Sequence, residues 1–349
     1  MKILELEVLE VRREAKDTVT ILLQRKDGSS LDYRAGQFLT FLFSLHGHAL
    51  RRSYSFSSTP GIDPIPAITV KRVVNGEVSR YLLDHLQTGD QLLSLLPAGK
   101  FILGNEDQPY LFFIAAGSGI APVFGLVKEA LLLRPGTRVV LLSQQHDEES
   151  IIFKTSLEKL EQQYKGRFQW ISLLSAPLAT DGRNRTGRLN NRLLEDLLEE
   201  WLPGGNRCAD MPPMFYLCGP PAFMRMALFT LRLMGVPDER IRKENFTVEY
   251  VPPPPLLADT RPRKVIIHAS DISYQFEVAW PSTILQAALD HHIPLPYSCK
   301  GGRCSSCVAR CLQGSVKMSI NEVLTEKDLA AGLVLTCVGY AETDIELRY

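Results

Sequence analysis

Over the first hundred residues, apolar and polar positions alternate in short runs. Ile3 to Val11, Thr18 to Leu23, Gln37 to Leu45, Ser53 to Ser57, Ile68 to Val74 and Gln91 to Leu96 are rich in Val, Ile, Leu, Phe and Thr, with Gly, Asp and Pro between them. A period of two marks strands, because successive side chains leave a strand on opposite faces. Only Val78 to Leu86 has helical spacing in this region. Six short strands separated by turn residues predict a closed antiparallel β-barrel.

From about Gln108 the period changes. The apolar runs Leu111 to Ala116, Arg138 to Ser143, Phe168 to Leu174 and Met214 to Cys218 are each followed by an amphipathic stretch: Ile120 to Leu133, Phe153 to Tyr164, Asn190 to Trp201 and Pro220 to Met234. Strand and helix in alternation predict an α/β domain whose parallel sheet is covered on both faces. Tyr110 to Val127 carries no charge over eighteen residues, enough to suggest a membrane span on hydropathy. Gly117, Gly119, Pro122 and Gly125 divide it instead into a strand, a tight turn and a helix start, so no membrane span is expected.

Four consecutive prolines, Pro252 to Pro255, together with Asp259 to Arg263, read as a stiff extended linker. Beyond it, Lys264 to His268 and Tyr274 to Val278 form a hairpin pattern, followed by a helix capped near Ser282 and running through Ala287. The expected limits are 1–104 for the barrel, 105–250 for the α/β domain, 251–262 for the linker and 263–349 for the last domain.

The 349 residues suffice for two or three cores. Charge adds little, since 39 Lys and Arg balance 39 Asp and Glu; nothing points to nucleic acid or an anionic membrane. Seven cysteines, an odd number, argue against a disulfide framework. The segment Met1 to Val8 alternates like a strand and lacks the apolar stretch of a signal peptide. A reducing, cytoplasmic setting is expected.

The cysteines carry the sharpest chemistry. Cys299, Cys304 and Cys307 are spaced Cys-x4-Cys-x2-Cys, and Cys337 follows at a distance. That is the plant-type spacing for thiolates holding a 2Fe-2S cluster. Gly301 and Gly302 allow the loop to wrap, because a residue without Cβ can take positive φ and leave amides free to face sulfur. A tetrathiolate zinc site usually draws its ligands from two short pairs, and a redox reading of Cys304 and Cys307 ignores Cys299. Cys311 reads as a buried small apolar residue.

Two further motifs accompany the array. Arg51-Arg52-Ser53-Tyr54-Ser55-Phe56 lies on a barrel strand, where an arginine, an aromatic and a hydroxyl at alternating positions share one face and could meet a diphosphate, a planar ring and a ring nitrogen. Gly117-Ser118-Gly119-Ile120-Ala121-Pro122 follows a buried strand and opens a helix, so a pyrophosphate could approach the backbone amides there.

With Cys218-Gly219-Pro220-Pro221 and the cysteine array, these motifs resemble the ferredoxin-NADP reductase superfamily fused to a plant-type ferredoxin, as in the reductase components of multicomponent oxygenases such as phenylacetyl-CoA epoxidase. The resemblance covers nearly the whole chain. It implies a multidomain fold: an antiparallel Greek-key β-barrel binding FAD, an α/β parallel-sheet domain binding NADH or NADPH, and an α+β β-grasp ferredoxin domain. It also implies roles. Arg52 would neutralise the FAD diphosphate, with Ser53 beside it, Tyr54 would stack on the isoalloxazine, and Ser55 would lie near flavin N5. Val70, Lys71, Gly76, Val78 and Ser79 match the second flavin-phosphate motif, with Gly76 and Ser79 capping a short helix at the anion. Pro97, Gly99 and Phe101 match the turn leaving the barrel.

Gly117, Ser118, Gly119, Pro122, Gly219 and Pro220 would flank the nicotinamide nucleotide, with Cys218 close to the reacting ring; Glu244, a candidate catalytic residue, and Phe246 resemble the closing strand of the nucleotide domain. The implied activity passes electrons from NAD(P)H through FAD to the cluster and on to an oxygenase or hydroxylase. Another acceptor, such as a desaturase or hybrid-cluster protein, and a redox-responsive binding module are the alternatives. Where many relatives have Asn-Arg, this chain has Gln145-His146; without the arginine that reads a 2′-phosphate, NADH is favoured, unless Arg183, Arg185 or Arg188 supplies the charge. Lys300 and Arg303 flank the cluster ligands, so Arg303→Glu is expected to lower the cluster potential or weaken coupling to the partner. His46, His48, His291 and His292 lack ligand company and read as surface or packing residues.

Overall fold

The computed structural model describes residues 2–45, 47–104, 108–178, 184–201, 213–246, 251–269 and 272–349. Two units are distinguished, the larger built from residues 4–97 and 101–246 and the smaller on 247–349. Among the sequence expectations, His46 and Arg183 lie outside the described residues.

In the larger unit, the first sheet comprises β1 (Ile3–Ala15), β2 (Thr18–Arg25), β3 (Phe38–Leu45), β4 (His48–Ser55), β5 (Ala67–Lys71) and, after helix α1 (Glu77–Asp84), β6 (Gln91–Leu95). Its order is β4-β3-β6-β1-β2-β5. The last strand in sequence therefore sits between β3 and β1, a Greek-key connection. Edge strands β4 and β5 approach through the Phe56–Ile68 bridge, which brings the sheet round on itself. Leu6, Val8, Ile21, Leu23, Leu39, Phe41, Ile68 and Val70 fill the interior, and α1 adds Val78 and Leu82.

β1 runs four residues beyond the expected Val11 because the polar segment Arg12 to Glu14 pairs with β2 while presenting little apolar surface. β4 begins at His48 rather than Ser53, since its first residues are paired with β3 from Leu45 onward. Hydrogen bonding to a neighbour extends both strands past the point where apolar alternation fades.

The second sheet follows as β7 (Tyr110–Ala116), α2 (Ile120–Leu133), β8 (Arg138–Gln145), α3 (Lys154–Gln163), β9 (Phe168–Leu174), β10 (Arg185–Thr186), α4 (Asn191–Trp201), β11 (Met214–Cys218), α5 (Pro221–Leu233) and β12 (Ile241–Glu244). The strand order is β10-β9-β8-β7-β11-β12, and the pairs are parallel. β7 serves both faces: Leu111, Phe113 and Ala115 pack towards α2 and α3, whereas Phe112, Ile114 and Ala116 pack towards α4 and α5. Burial on both faces explains the unbroken apolar run that resembled a membrane span. Among the described residues no helix is long and apolar enough to cross a membrane.

Helix α2 is also covered by the barrel. A Cβ on Gly125 would lie 3.2 Å from the Ser58 carbonyl oxygen, the Thr59 hydroxyl donates to the Gly125 carbonyl at 2.8 Å, and Lys128 is ion-paired with Asp63.

The smaller unit is a β-grasp. β13 (Arg263–Ala269) and β14 (Ile272–Val278) form a hairpin, followed by α6 (Ile284–Asp290), β15 (Val308–Gln313), β16 (Val316–Met318), α7 (Glu326–Ala330), β17 (Leu333–Leu335), β18 (Gly339–Ala341) and β19 (Ile345–Arg348). The mixed sheet has the order β14-β13-β19-β15-β17, with β19 parallel to β13. α6 lays Ile284, Leu285, Ala287 and Ala288 on the core. Its cap is Thr283, whose hydroxyl accepts from the Gln286 amide at 3.1 Å.

The expected linker has no regular structure, but its second half is pinned to this unit. The Trp280 indole donates to the Pro255 carbonyl at 3.2 Å and the Lys317 ammonium to the Leu256 carbonyl at 3.2 Å. Asp259 pairs with Arg263 at 2.7 Å.

Candidate functional site

β7 and β11 are neighbours in the second sheet, although β8, β9 and β10 lie between them in sequence. Strand order reverses there, and a crevice outside the carboxyl ends of two such strands is the usual ligand site of an open α/β sheet. The turn Gly117–Gly119 leaves β7 and Cys218-Gly219-Pro220 leaves β11, so the two predicted glycine motifs converge at this point. The packing demands glycine: a Cβ on Gly119 would sit 2.2 Å from the Cys218 carbonyl oxygen. Gly117 takes φ +56, and Pro122 is buried in the first turn of α2.

Cys218 and Glu244 are register partners on β11 and β12 at the same edge. Both are buried. Burial first, and the Glu244 carboxylate second, push the Cys218 thiol well above its ordinary value. Cys218 is therefore a neutral thiol rather than a nucleophile. Iodoacetamide at pH 8 is expected to modify it at least about 100-fold more slowly in the folded protein than in urea, as read by mass spectrometry of its peptide; equal rates would contradict the burial.

Sequence reasoning treated Gln145 only as a departure from a motif. At the end of β8, its Nε2 donates to the Gly117 carbonyl at 3.1 Å, while its buried Oε1 has no hydrogen-bond partner. Asp147, also buried, accepts from the Ser150 hydroxyl at 2.6 Å and amide at 2.9 Å. The Ser150 hydroxyl bond is the leading cause that keeps its carboxyl below the usual range. Lys71, at the end of β5, is lowered by burial and countered by Asp147 and Asp17. Gln145 and Asp147 lie outside a recognised motif, so nothing in the sequence signalled their contacts.

On the barrel, the register corrects one expectation. Arg52 pairs with Phe41 and Tyr54 with Leu39, whereas Ser53 pairs with Thr40 and Ser55 with Phe38. Arginine and aromatic thus share one face, and the two serines lie on the other, where Ser53 and Thr40 hydroxyls are 2.8 Å apart. Tyr54 packs against Phe41, rings 6.1 Å apart, and burial raises its phenol to about 12 with Arg52 opposing. Arg52 is exposed and has no carboxylate partner among the described residues.

Val70 lies in the barrel core and Gly76 is the N-cap of α1, which has no side-chain cap. A Cβ on Gly76 would meet the Ser79 Oγ at 2.7 Å. Ser79 is itself engaged, accepting from the Val73 amide and donating to the Gly76 carbonyl, so it shapes the turn rather than presenting a free hydroxyl. An uncapped helix start, a cradle that a side chain would fill and an unneutralised arginine fit a diphosphate.

In the cysteine loop, the left-handed positions are Lys300, Gly302 and Ser305. Of the two glycines only Gly302 is among them, and its Cβ would lie 2.9 Å from the Ile320 side chain. The Gly301 amide donates to the Cys299 sulfur at 3.3 Å and the Cys299 amide to the Cys304 sulfur at 3.4 Å. As thiols, Cys299 meets Cys304 and Cys337, and Cys307 meets Cys337; these hydrogen bonds lead the lowering of Cys299 and Cys307 and the raising of Cys304 and Cys337.

Among the described residues no three His, Cys, Asp or Glu groups are arranged about one ion. The contacts run as one chain, Cys304–Cys299–Cys337–Cys307, so the fold gathers at one place the four thiols that a 2Fe-2S cluster requires. The Thr336 amide and hydroxyl both donate to the Cys307 carbonyl, at 3.3 and 3.0 Å, and the Thr336 hydroxyl lies 2.6 Å from that of Tyr349. Cys311 is half-buried, its sulfur 3.3 Å from the Gln313 carbonyl.

Arg303, which flanks the cluster ligands, is engaged by a carboxylate. Its side chain is 13% exposed and lies 3.2 Å from the Glu322 carboxylate. Arg303→Glu would place two carboxylates together, and the expected result is a loss of about 2 kcal/mol from the smaller unit. The lower melting midpoint of the cluster's visible circular dichroism would be partly restored by adding Glu322→Arg; an unchanged midpoint would refute it.

Three known domains match in this order: an oxidoreductase FAD-binding domain over residues 5–102, an oxidoreductase NAD-binding domain over 113–228 and a 2Fe-2S iron-sulfur cluster binding domain over 267–342. The ferredoxin reductase component of 3-ketosteroid-9-alpha-monooxygenase from Mycobacterium tuberculosis H37Rv is 31% identical, covering 99% of this chain and 96% of its own. The chain belongs to the family of reductase components of multicomponent oxygenases. A 1,2-phenylacetyl-CoA epoxidase component from Escherichia coli K12 is likewise 31% identical, over 95% of this chain and 93% of its own. Phthalate dioxygenase reductase has the same fold, with a TM-score of 0.59 at 22% identity over 99% of this chain and 97% of its own. This reductase is an NAD(P)H-dependent flavin iron-sulfur oxidoreductase with FAD and a 2Fe-2S cluster as cofactors.

Proposed function

We propose that this reductase takes electrons from NADH in preference to NADPH and delivers them to an oxygenase or hydroxylase of the kind that phenylacetyl-CoA epoxidase represents. The observation that carries the reading is the convergence of Gly119, Cys218, Gly219 and Glu244 at the strand-order reversal.

FAD supplies the step between a two-electron donor and a one-electron acceptor. The chain's own residues bind and orient. Arg52 offsets diphosphate charge from the barrel edge, Tyr54 presents a ring beside it, and the Gly76–Ser79 turn offers amides at the start of α1. Ser55 stands on the opposite face from Tyr54 as the hydroxyl for the flavin ring nitrogen. Gly117, Ser118 and Gly119 admit the nucleotide backbone, while Pro122, Gly219 and Pro220 fix the turns on either side. Glu244 and Cys218 form the buried wall by the nicotinamide. Cys299, Cys304, Cys307 and Cys337 hold the cluster.

Preference for NADH is supported by Gln145-His146 standing where many relatives have Asn-Arg, and by Arg185 being paired with Glu200 at 2.9 Å. A cytoplasmic setting is supported by the odd count of seven cysteines, four of them assigned to the cluster, which does not suit a disulfide framework.

The test is anaerobic reduction by each nucleotide, followed by flavin absorbance and the spin resonance of the cluster. NADH is expected to give a kcat/KM at least about ten-fold above NADPH, the equivalent of ~1.4 kcal/mol. Equal values would refute the preference, and a silent cluster would refute the route.

A further inference from the structure

We infer a second small-molecule site in this reductase, one that takes an amphipathic monocarboxylate in a cleft between the barrel and helices α2 and α3. The cleft has a volume of about 400 Å³, within the range of roughly 300–1,000 Å³ common for small-ligand sites. It is distinct from the nucleotide crevice: the crevice opens at the start of α2, whereas Lys128 lines the cleft about 12 Å further along that helix.

The lining hydroxyls of Thr20 and Ser57 are tied together through Thr69, which is buried behind them. Thr20 and Thr69 are 2.9 Å apart, and Thr69 donates to Ser57 at 2.8 Å. The wall is apolar, with Leu22, Phe124 and Phe153 facing the space. Phe153 is unusual. It holds φ +61, a left-handed conformation that a bulky residue adopts only when its surroundings enforce it. Its ring stacks on Phe124 with centroids 4.2 Å apart and 14° between planes. The backbone is thus held in an unfavourable form where it presents this aromatic wall.

Charge selects the ligand. Asp63 is neutralised by Lys128, whereas Glu14, which accepts from the Thr20 hydroxyl at 3.1 Å, keeps its charge, so the lining carries one net positive charge. Arg12 and Lys159, both exposed lining residues, have no carboxylate partner among the described residues. An apolar body can lie along Leu22 and Phe124 while a carboxylate meets these two cations. Such a ligand touches both lobes of the larger unit, so it would bind to their assembled arrangement.

The test uses the full-length holoprotein with benzoate as probe and benzamide and inorganic phosphate as controls, measured by calorimetry and ligand-observed NMR. Benzoate is expected to bind saturably with a Kd of about 1 mM or below, and both controls at least about ten-fold more weakly. The double variant Arg12→Gln and Lys159→Gln is expected to weaken benzoate at least about ten-fold, with NADH-dependent flavin reduction unchanged. Leu22→Trp, which fills the cleft without touching charge, is expected to abolish binding while the flavin spectrum shows an intact fold. Absence of saturable benzoate binding at about 20 mM overturns the proposal on the same scale. So does benzamide or phosphate binding equal to benzoate, or a Leu22→Trp variant that is folded and still binds.

Discussion

Cys337→Ser is expected to leave NADH-driven flavin reduction intact and to lower cytochrome c reduction by at least about 100-fold, a larger loss than outer-shell changes around metal ligands usually cause. Cys337 lies two residues past the end of β17, and the intervening Thr336 bonds to the Cys307 carbonyl. The fold therefore delivers this ligand from a strand beside the cysteine loop. Serine keeps the shape but offers a poorly acidic oxygen where iron requires a thiolate. Iron content, the low-temperature spin resonance signal and stopped-flow flavin bleaching separate the two halves of the chain. Full iron and a normal signal would show that Cys337 is not a ligand; loss of flavin bleaching would show that the substitution acts beyond the cluster.

Gly119→Ala is expected to do the converse. A methyl group 2.2 Å from the Cys218 carbonyl oxygen cannot be accommodated by turning a flexible side chain, because the obstacle is backbone. The turn after β7 or the end of β11 must move. Overpacking of this kind costs about 1–3 kcal/mol, and misplacement of about 1 Å can cost on the order of 100-fold in rate. Flavin reduction by NADH should fall by that factor, while FAD content, the cluster signal and chemical reduction by dithionite stay unchanged. A variant with wild-type rates of flavin reduction would remove the crevice as the nucleotide site.

Much of this was legible in the residues. The uneven cysteine spacing pointed to two irons, and the alternation of apolar strands with amphipathic helices gave the parallel sheet. The parity of Arg52, Ser53, Tyr54 and Ser55 already separates arginine and aromatic from the serines, because strand faces alternate strictly; the register makes that separation explicit. Short edge strands are harder. Arg185–Thr186 has two residues and Ile241–Glu244 has one aliphatic side chain, so neither carries a periodic signal. The Arg303–Glu322 pair was not legible, because nothing local announces a partner nineteen positions away. The cleft behind α2 is built from β1, β2, the 57–67 segment and α3, and no window of sequence contains all of them.

The burial of α2 has a practical consequence for chimaeras. Eleven of its residues, from Ile120 to Leu131, are buried, and the barrel side is closed around Gly125 by Ser58 and Thr59. Cutting between the flavin and pyridine-nucleotide modules would strip that helix of its barrel-side cover and expose a greasy surface prone to aggregation. When parts are exchanged with a relative, residues 4–246 should travel as a single cassette.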